Sequence, residues 1–596
     1  MIIKQLEDYY YRQVNGDNKA QLAPAGFDYA ELKFIIEIDR QGRFVNLADV
    51  RNGKRGTSYL VPQPLRRSGK NSWQIAFPLW DHTGYVCARV KSGGTEAQDA
   101  KNEEMASNQN QSFIKSVALI AQAVPEDEGV QAVLKFYETE ELDFLKQNSL
   151  WEECRAIDGC NVTFRLAGEN ALVCQSSAVR AYLGNQPVDA SDGQADTRCI
   201  VSGEVGEIAR LHNKTPLQGG QATAALISFQ KNSGYDSYGK QQAFNAPISQ
   251  KTMTAYTTAL NHLIRSDSNS LQIGDMKIVF WAAGKVSEAG EILENTLKSC
   301  FDSSVDDPDK GTIAVKGVFD ALKTGKFTTQ NNERFCILGM RPNSGRIAIC
   351  LWEECTVGTI AQRIAQHYED LEIAHGPKDL PYLPLWQVLT ATALADKMKN
   401  VIPNLSASVM DSVLTGTPYS MSLYQQTMRR VRALQGPRRK HAAVLKACLN
   451  RWARKNMFDA KEVMPMLDVN NPETAYQLGR VFAVLEKIQE ESAPGLNATI
   501  RDRYYGAVST SPVTVLPQLL KLKSHHVAKL SEGRKIYFER ELGKILDKVS
   551  VFPAQFNLQQ QGYFALGYYH QRQWFFTSNE DKALMQERAP ISEGEN

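Results

Sequence analysis

The spacing of apolar and polar positions divides the chain into three stretches. In the first, short apolar runs alternate with turn signals. The start, MIIKQLEDYYYRQV, has the spacing of an amphipathic helix. Leu32–Asp39 reads as a strand, Arg40-Gln-Gly-Arg43 as a hairpin turn, Tyr59–Pro62 as a short strand and Trp73–Trp80 as the next. Two basic loops, Arg51–Arg55 and Gln63–Ser72, lie between them. Gly93–Gln111 is polar and rich in Gln and Asn, which predicts an exposed loop or insertion and a boundary there. In the second stretch Val130–Gln147 has helical spacing. Predicted strands (Asn161–Leu166, Asp275–Trp281, Arg334–Leu338, Arg346–Trp352) then alternate with predicted helices (Gln250–Ile264, Glu288–Cys300), and helix Val357–Tyr368 follows. Pro377–Pro384 reads as a linker. Beyond it, helices are predicted near 386–400, 420–434, 440–455, 473–490, 512–530, 533–549 and 558–570. Pro418, Pro437, Pro472, Pro494 and Pro553 fall between them, where proline interrupts least. The pattern predicts an α+β protein: a mixed N-terminal region (1–112), a mixed central region (113–376) and a C-terminal all-helical bundle (385–596). No internal repeat stands out.

One stretch departs from ordinary patterning. Ser228–Leu263 follows a predicted strand end at Ala225–Phe229 and runs through a long polar loop with Gly234 and Gly239. After Asn245 and Pro247 comes a helix striped by Tyr256, Leu260 and Leu263. A loop of this length is usually functional or disordered. The recurrence of Phe229, Tyr235, Tyr238 and Phe244 along it argues against disorder.

Composition narrows the classes. With 596 residues the chain exceeds one ordinary core, so several domains are expected. No apolar run is long enough to span a bilayer and no signal peptide is read, which predicts a cytoplasmic protein with no membrane partner. The ten cysteines are scattered without a C-x-x-C pair and are expected to be reduced. Net charge is only +2, yet no acid occurs between Ser412 and Phe458. That window carries Arg429, Arg430, Arg432, Arg438, Arg439, Lys440, Lys446, Arg451, Arg454 and Lys455. A basic segment in a near-neutral chain suits a protein that meets nucleic acid on one face and protein on others.

Candidate chemistry points to binding. In Gln63–Ser72, Arg66, Arg67 and Lys70 offer charge to phosphates, and the amide of Asn71 offers a donor and an acceptor to base edges. A solvated surface loop has the same composition. The segment Arg429–Lys455, broken at Gly436-Pro437, can present its cations on two helices as a groove for a single strand or a duplex. Towards the C-terminus Lys521 and Lys523 lie among aromatics such as Tyr504, Tyr505 and Tyr568. These rings suit base stacking, or the core of a bundle. His525, His526 and His570 could be read as a metal nuclease. Adjacent helical histidines diverge by about 100°, and there is neither an H-E-x-x-H motif nor a P-loop lysine, so neither a metal nor any other cofactor is expected.

The block SFQKNSGYDSYGKQQAFNAPISQKTMTAYTTALNHL resembles the hallmark of the large subunit of type I-C CRISPR surveillance (Cascade) complexes. RCIVSGEVGEIARLH (198–212), DMKIVFW (275–281), NSGRIAICLW (343–352), YSMSLYQQTMRRVR (419–432), Ile500–Leu530 and Phe552–Gln571 are similar to further blocks of that family, in the same order. The resemblance implies a non-catalytic subunit. It would recognise the protospacer-adjacent motif in double-stranded DNA, promote unwinding, hold the displaced strand of the R-loop and help recruit a separate helicase-nuclease. Its implied partners are the guide RNA, the backbone and foot subunits, and target DNA. A small subunit made from an internal start, near Met457, Met464 or Met466, is a further implied partner. Asn71 resembles the motif-reading asparagine, with Gln63, Arg66, Arg67, Lys70 and Ser72 beside it. Strand or backbone binding falls to Lys54, Arg55, Lys231, Lys240, Arg429, Arg430, Arg432, Arg438, Arg439, Lys440, Arg451, Lys521 and Lys523. Two rival readings remain: an assembly scaffold that mainly holds guide RNA, and the metal-dependent nuclease.

Overall fold

The computed structural model describes the chain except residues 16–21, 25, 54, 66, 68–70, 91–95, 185–196, 222, 231–233, 235–237, 284–287, 302–307, 325–332, 458–460 and 578–596. It is an α+β protein with several small sheets and a helical C-terminal region. The chain forms two compact units, one of residues 1–265 with 342–347, the other of residues 266–341 with 348–596.

The first unit is built on a four-stranded sheet in the order Phe44–Asp49, Phe34–Ile38, Asn161–Leu166, Trp80–His82. Phe34–Ile38 and Phe44–Asp49 form the expected hairpin. Its turn needs Gly42 at φ +86°, where a side chain would also strike the Ala132 carbonyl. Asn161–Leu166 pairs parallel with Phe34–Ile38, so residues on both sides of position 112 share one sheet. Phe34, Ile36, Phe136, Val162 and Phe164 fill its core. A separate antiparallel pair, Phe27–Leu32 with Thr57–Pro62, leads into the loop that begins at Gln63.

Three sequence expectations change here. Glu96–Ala123 is a helix, where Gly93–Gln111 was expected to be loop. Ala106, Asn110, Phe113, Val117 and Ile120 are buried along it at helical spacing, and Asn110 Nδ2 donates to the Tyr85 carbonyl at 2.7 Å. Trp73–Trp80 is not a strand. A 3-10 turn occupies Ser72–Gln74 and the strand is Trp80–His82, because Pro78 has no N–H to donate to a ladder. Ala225–Phe229 adopts no regular structure.

In the second unit the strands Ser270–Ile273, Met276–Ala283, Arg334–Asn343 and Arg346–Thr356 form one sheet in sequence order. One continuous apolar cluster joins that sheet to the helices, from Leu271 to Tyr569. Helices Thr474–Ser492 and Leu558–Phe576 pack closely because Gly479 and Gly567 carry no side chain. A methyl at either would fall on the Phe564 or the Tyr476 carbonyl oxygen. Helices at Pro308–Lys323 and Leu405–Thr415 were not expected. Near 386–400 only Leu385–Thr390 is α-helical, followed by 3-10 turns with Ala395 and Asp396 at φ +56°.

Candidate nucleic-acid interface

Among the described residues after Pro62, Arg67 anchors the loop through an ion pair. Arg67 donates from Nε to the Ile75 carbonyl at 2.7 Å, and its guanidinium pairs with Asp81. The same guanidinium lies 3.9 Å from the ring centres of both Phe77 and Tyr85. Asp81 is buried and also accepts the backbone N–H groups of Phe77 (3.0 Å) and His82 (2.8 Å). Burial pushes its carboxyl up, against the pull of Arg67. Arg67 is therefore a fastener for the loop, not the free phosphate clamp that its charge suggested.

Asn71 and Ser72 sit on the turn so fastened. The Ser72 carbonyl accepts from the Tyr85 hydroxyl at 3.2 Å, and the Asn71 carbonyl accepts from the Gln74 N–H at 3.0 Å. Asn71 precedes the 3-10 turn with φ −98° and ψ 19°, yet its side chain makes no capping bond. Its amide is thus exposed on a held backbone. Gln63 is bound through its N–H to the Gly26 carbonyl at 2.8 Å. Arg55 is exposed on a tight turn closed against Asn52, with Gly53 at φ +64°. Lys54, Arg66, Lys70 and Lys231 lie outside the described residues.

Residues 242–248 fold against residues 200–210. Ile200 N–H donates to the Pro247 carbonyl and Ala209 N–H to the Ile248 carbonyl, both at 2.9 Å. Arg210 donates to the Gln242 side chain at 2.6 Å. Lys240 is half-buried, its carbonyl accepting from Asn245 at 2.9 Å. Two residues before it, Tyr238 is 100% exposed with φ +51°. An aromatic ring held wholly in solvent needs an explanation beyond packing. Its signal in the sequence is an aromatic beside glycine inside a polar run.

The basic helical segment is less free than its acid-free sequence suggests, because distant acids reach it. Arg451 is buried, pairs with Asp370 at 2.6 Å and donates to the Ser412 and Thr417 carbonyls, so it is not placed to meet a phosphate. Asp370 also pairs with Arg454. Asp396 binds Lys440 at 2.9 Å and Arg438 at 3.4 Å. Arg439 is half-buried and donates to the Pro381 carbonyl at 3.2 Å. Helix Met421–Ala433 leaves Arg429 exposed and Arg430 half-buried, while Arg432 is exposed but tied to Gln561. Lys521 is exposed, whereas Lys523 bonds both Glu539 oxygens at 2.7 Å. Of the aromatics, Tyr505 and Tyr568 are buried core.

The three histidines do not form a metal site. His570 is buried with Nδ1 2.9 Å from the Tyr476 hydroxyl, and burial pulls its pKa down to about 3. His526 lies 3.1 Å from the Ser492 hydroxyl, and His525 is exposed. Among the described residues no group of three His, Cys, Asp or Glu side chains could hold a metal ion, and no helix is long and apolar enough to cross a membrane. All ten cysteines are free.

The first unit thus offers an exposed amide on an anchored turn, and the second carries cations on its helices. The sequence model of the CRISPR-associated protein (Cas_Csd1) family matches residues 6–576, and the chain belongs to that family. It is therefore a CRISPR-associated protein, a large subunit of the Cascade type. No curated protein matches it significantly.

Proposed function

We propose that this chain is the motif-reading subunit of a type I-C complex. The exposed Asn71 amide, with Ser72 next to it, reads the flanking motif on duplex DNA. Arg67 holds the loop in position for that contact. Guide pairing then supplies sequence specificity, and contacts to the displaced strand decide whether a nearly balanced R-loop persists. Tyr238 and Lys240 offer a stacking ring and a cation for that strand, joined by Arg429 and Arg432. The chain cuts nothing itself and works with a separate helicase-nuclease. What carries the reading is the Asn71 side chain, solvent-exposed and uncapped on a fastened turn.

The test is Asn71→Ala in the assembled complex. Affinity for motif-bearing DNA falls by about 1–3 kcal/mol, the worth of one good base contact, while motif-lacking DNA binds as before. Equal loss on both DNAs sinks the assignment.

A further inference from the structure

A cleft of about 220 Å³ opens on the second unit, between the end of helix Thr474–Ser492, residues 496–504 and helix Pro512–Val527. Leu485, Ile500 and Leu519 are buried and form its floor. Leu496 and Leu522 stand on its rim, 45% and 40% exposed. Beside them Arg503 is exposed, and among the described residues no acid pairs with it. Lys523 also lines the cleft but is shared with Glu539. Apolar rims left in water around a free cation mark a surface that something covers. The covering segment must bring an aliphatic side chain for the floor and a carboxylate for Arg503.

The chain itself supplies one. Residues 578–596, SNEDKALMQERAPISEGEN, lie outside the described residues and carry five acids against two bases. Leu584 and Met585 are set between Glu580-Asp581 and Glu587. The family match stops at residue 576, so family membership does not account for this stretch. Its starting point is close to the cleft. Phe576 is exposed, and Lys487 Nζ lies 5.5 Å from its ring centre. Lys487 is on the same helix that lends Leu485 and Gln489 to the cleft. Positions 487 and 489 are about 200° apart around a helix, so the way from Phe576 to the cleft is roughly 20 Å around one helix. About six to eight extended residues cover that distance, which brings Leu584 and Met585 to the cleft. Tethering gives such a segment an effective concentration on the order of millimolar, so a weak contact suffices.

We propose that residues 580–587 of this chain dock in the cleft, with Leu584 and Met585 against Leu496 and Leu522 and the Glu587 carboxylate on Arg503. The contact is autoinhibitory: it covers an apolar rim and a cation that would otherwise be open to other partners. It is independent of the motif-reading role.

The test places the photocrosslinker p-benzoylphenylalanine at Gln586 of the full-length chain, and the crosslinked sites are mapped by mass spectrometry. Docking gives crosslinks within one chain, concentrated on residues 485–526. Leu522→Glu and Arg503→Glu, both at exposed positions, each lower that yield by about tenfold. Adding Glu587→Arg to the Arg503→Glu chain restores it, which a folding defect would not allow. Crosslinks spread over the surface, or a yield that neither variant changes, overturn the proposal. Crosslinks between copies that grow with protein concentration overturn it too, and give the cleft to the tail of a second copy.

Discussion

Arg67 and Asn71 stand four residues apart and do opposite work. Arg67 is turned inward onto buried Asp81 between two rings, while the Asn71 side chain faces solvent on the turn that this pair holds. Truncating Arg67 leaves a buried carboxylate without its partner, which typically costs about 3–5 kcal/mol. Arg67→Ala should therefore lower the unfolding midpoint of the first unit in urea and weaken binding to motif-bearing DNA more than to motif-lacking DNA. An unchanged midpoint would deny the fastening role. The sequence marks both residues as candidates but does not separate them. What separates them is Asp81, fourteen positions on from Arg67, and its burial is not legible from spacing. Arg451 teaches the same lesson, since its partner Asp370 lies 81 residues away.

Among elements, period is a better guide than composition. The Gln and Asn content of residues 93–111 predicts loop, yet the buried positions from Ala106 to Ile120 keep helical spacing. One of them is polar, Asn110, and it is buried because it bonds the Tyr85 carbonyl. The helix after the polar stretch is legible through Tyr256, Leu260 and Leu263, and all three are buried. Within the basic helices, exposure sorts the cations. Neutralising Arg429, Arg430 and Arg432 together should make the salt dependence of DNA binding shallower by about 0.7–0.9 for each phosphate no longer neutralised. Neutralising Arg438 and Lys440, which already face Asp396, should leave the slope nearly unchanged. Equal slopes for both variants and wild type would remove the helices from the DNA path.

At the scale of the molecule, the second unit is sealed around neutral imidazoles. Burial pulls His367, His441 and His570 down to about 3. Each pKa is lower folded than unfolded, so the unfolded chain binds more protons as the pH falls. The stability these residues contribute is whole above about pH 6.5 and is lost below it, by about 1.4 kcal/mol per pH unit for each histidine down towards its folded value. Unfolding followed at pH 7.5 and pH 5 should show a clearly lower midpoint at pH 5; equal midpoints would mean that these rings meet solvent. The α+β class is legible in the sequence, but the pairing of Asn161–Leu166 with Phe34–Ile38 is not, since periodicity carries no information about strands so far apart in the chain.

The most direct test of motif reading is a gel shift of the guide-loaded complex, assembled with and without this subunit, on matched targets that bear or lack the flanking motif. The account predicts that omitting the subunit abolishes the preference for the motif. A preference that survives omission would contradict it and move motif reading to another subunit.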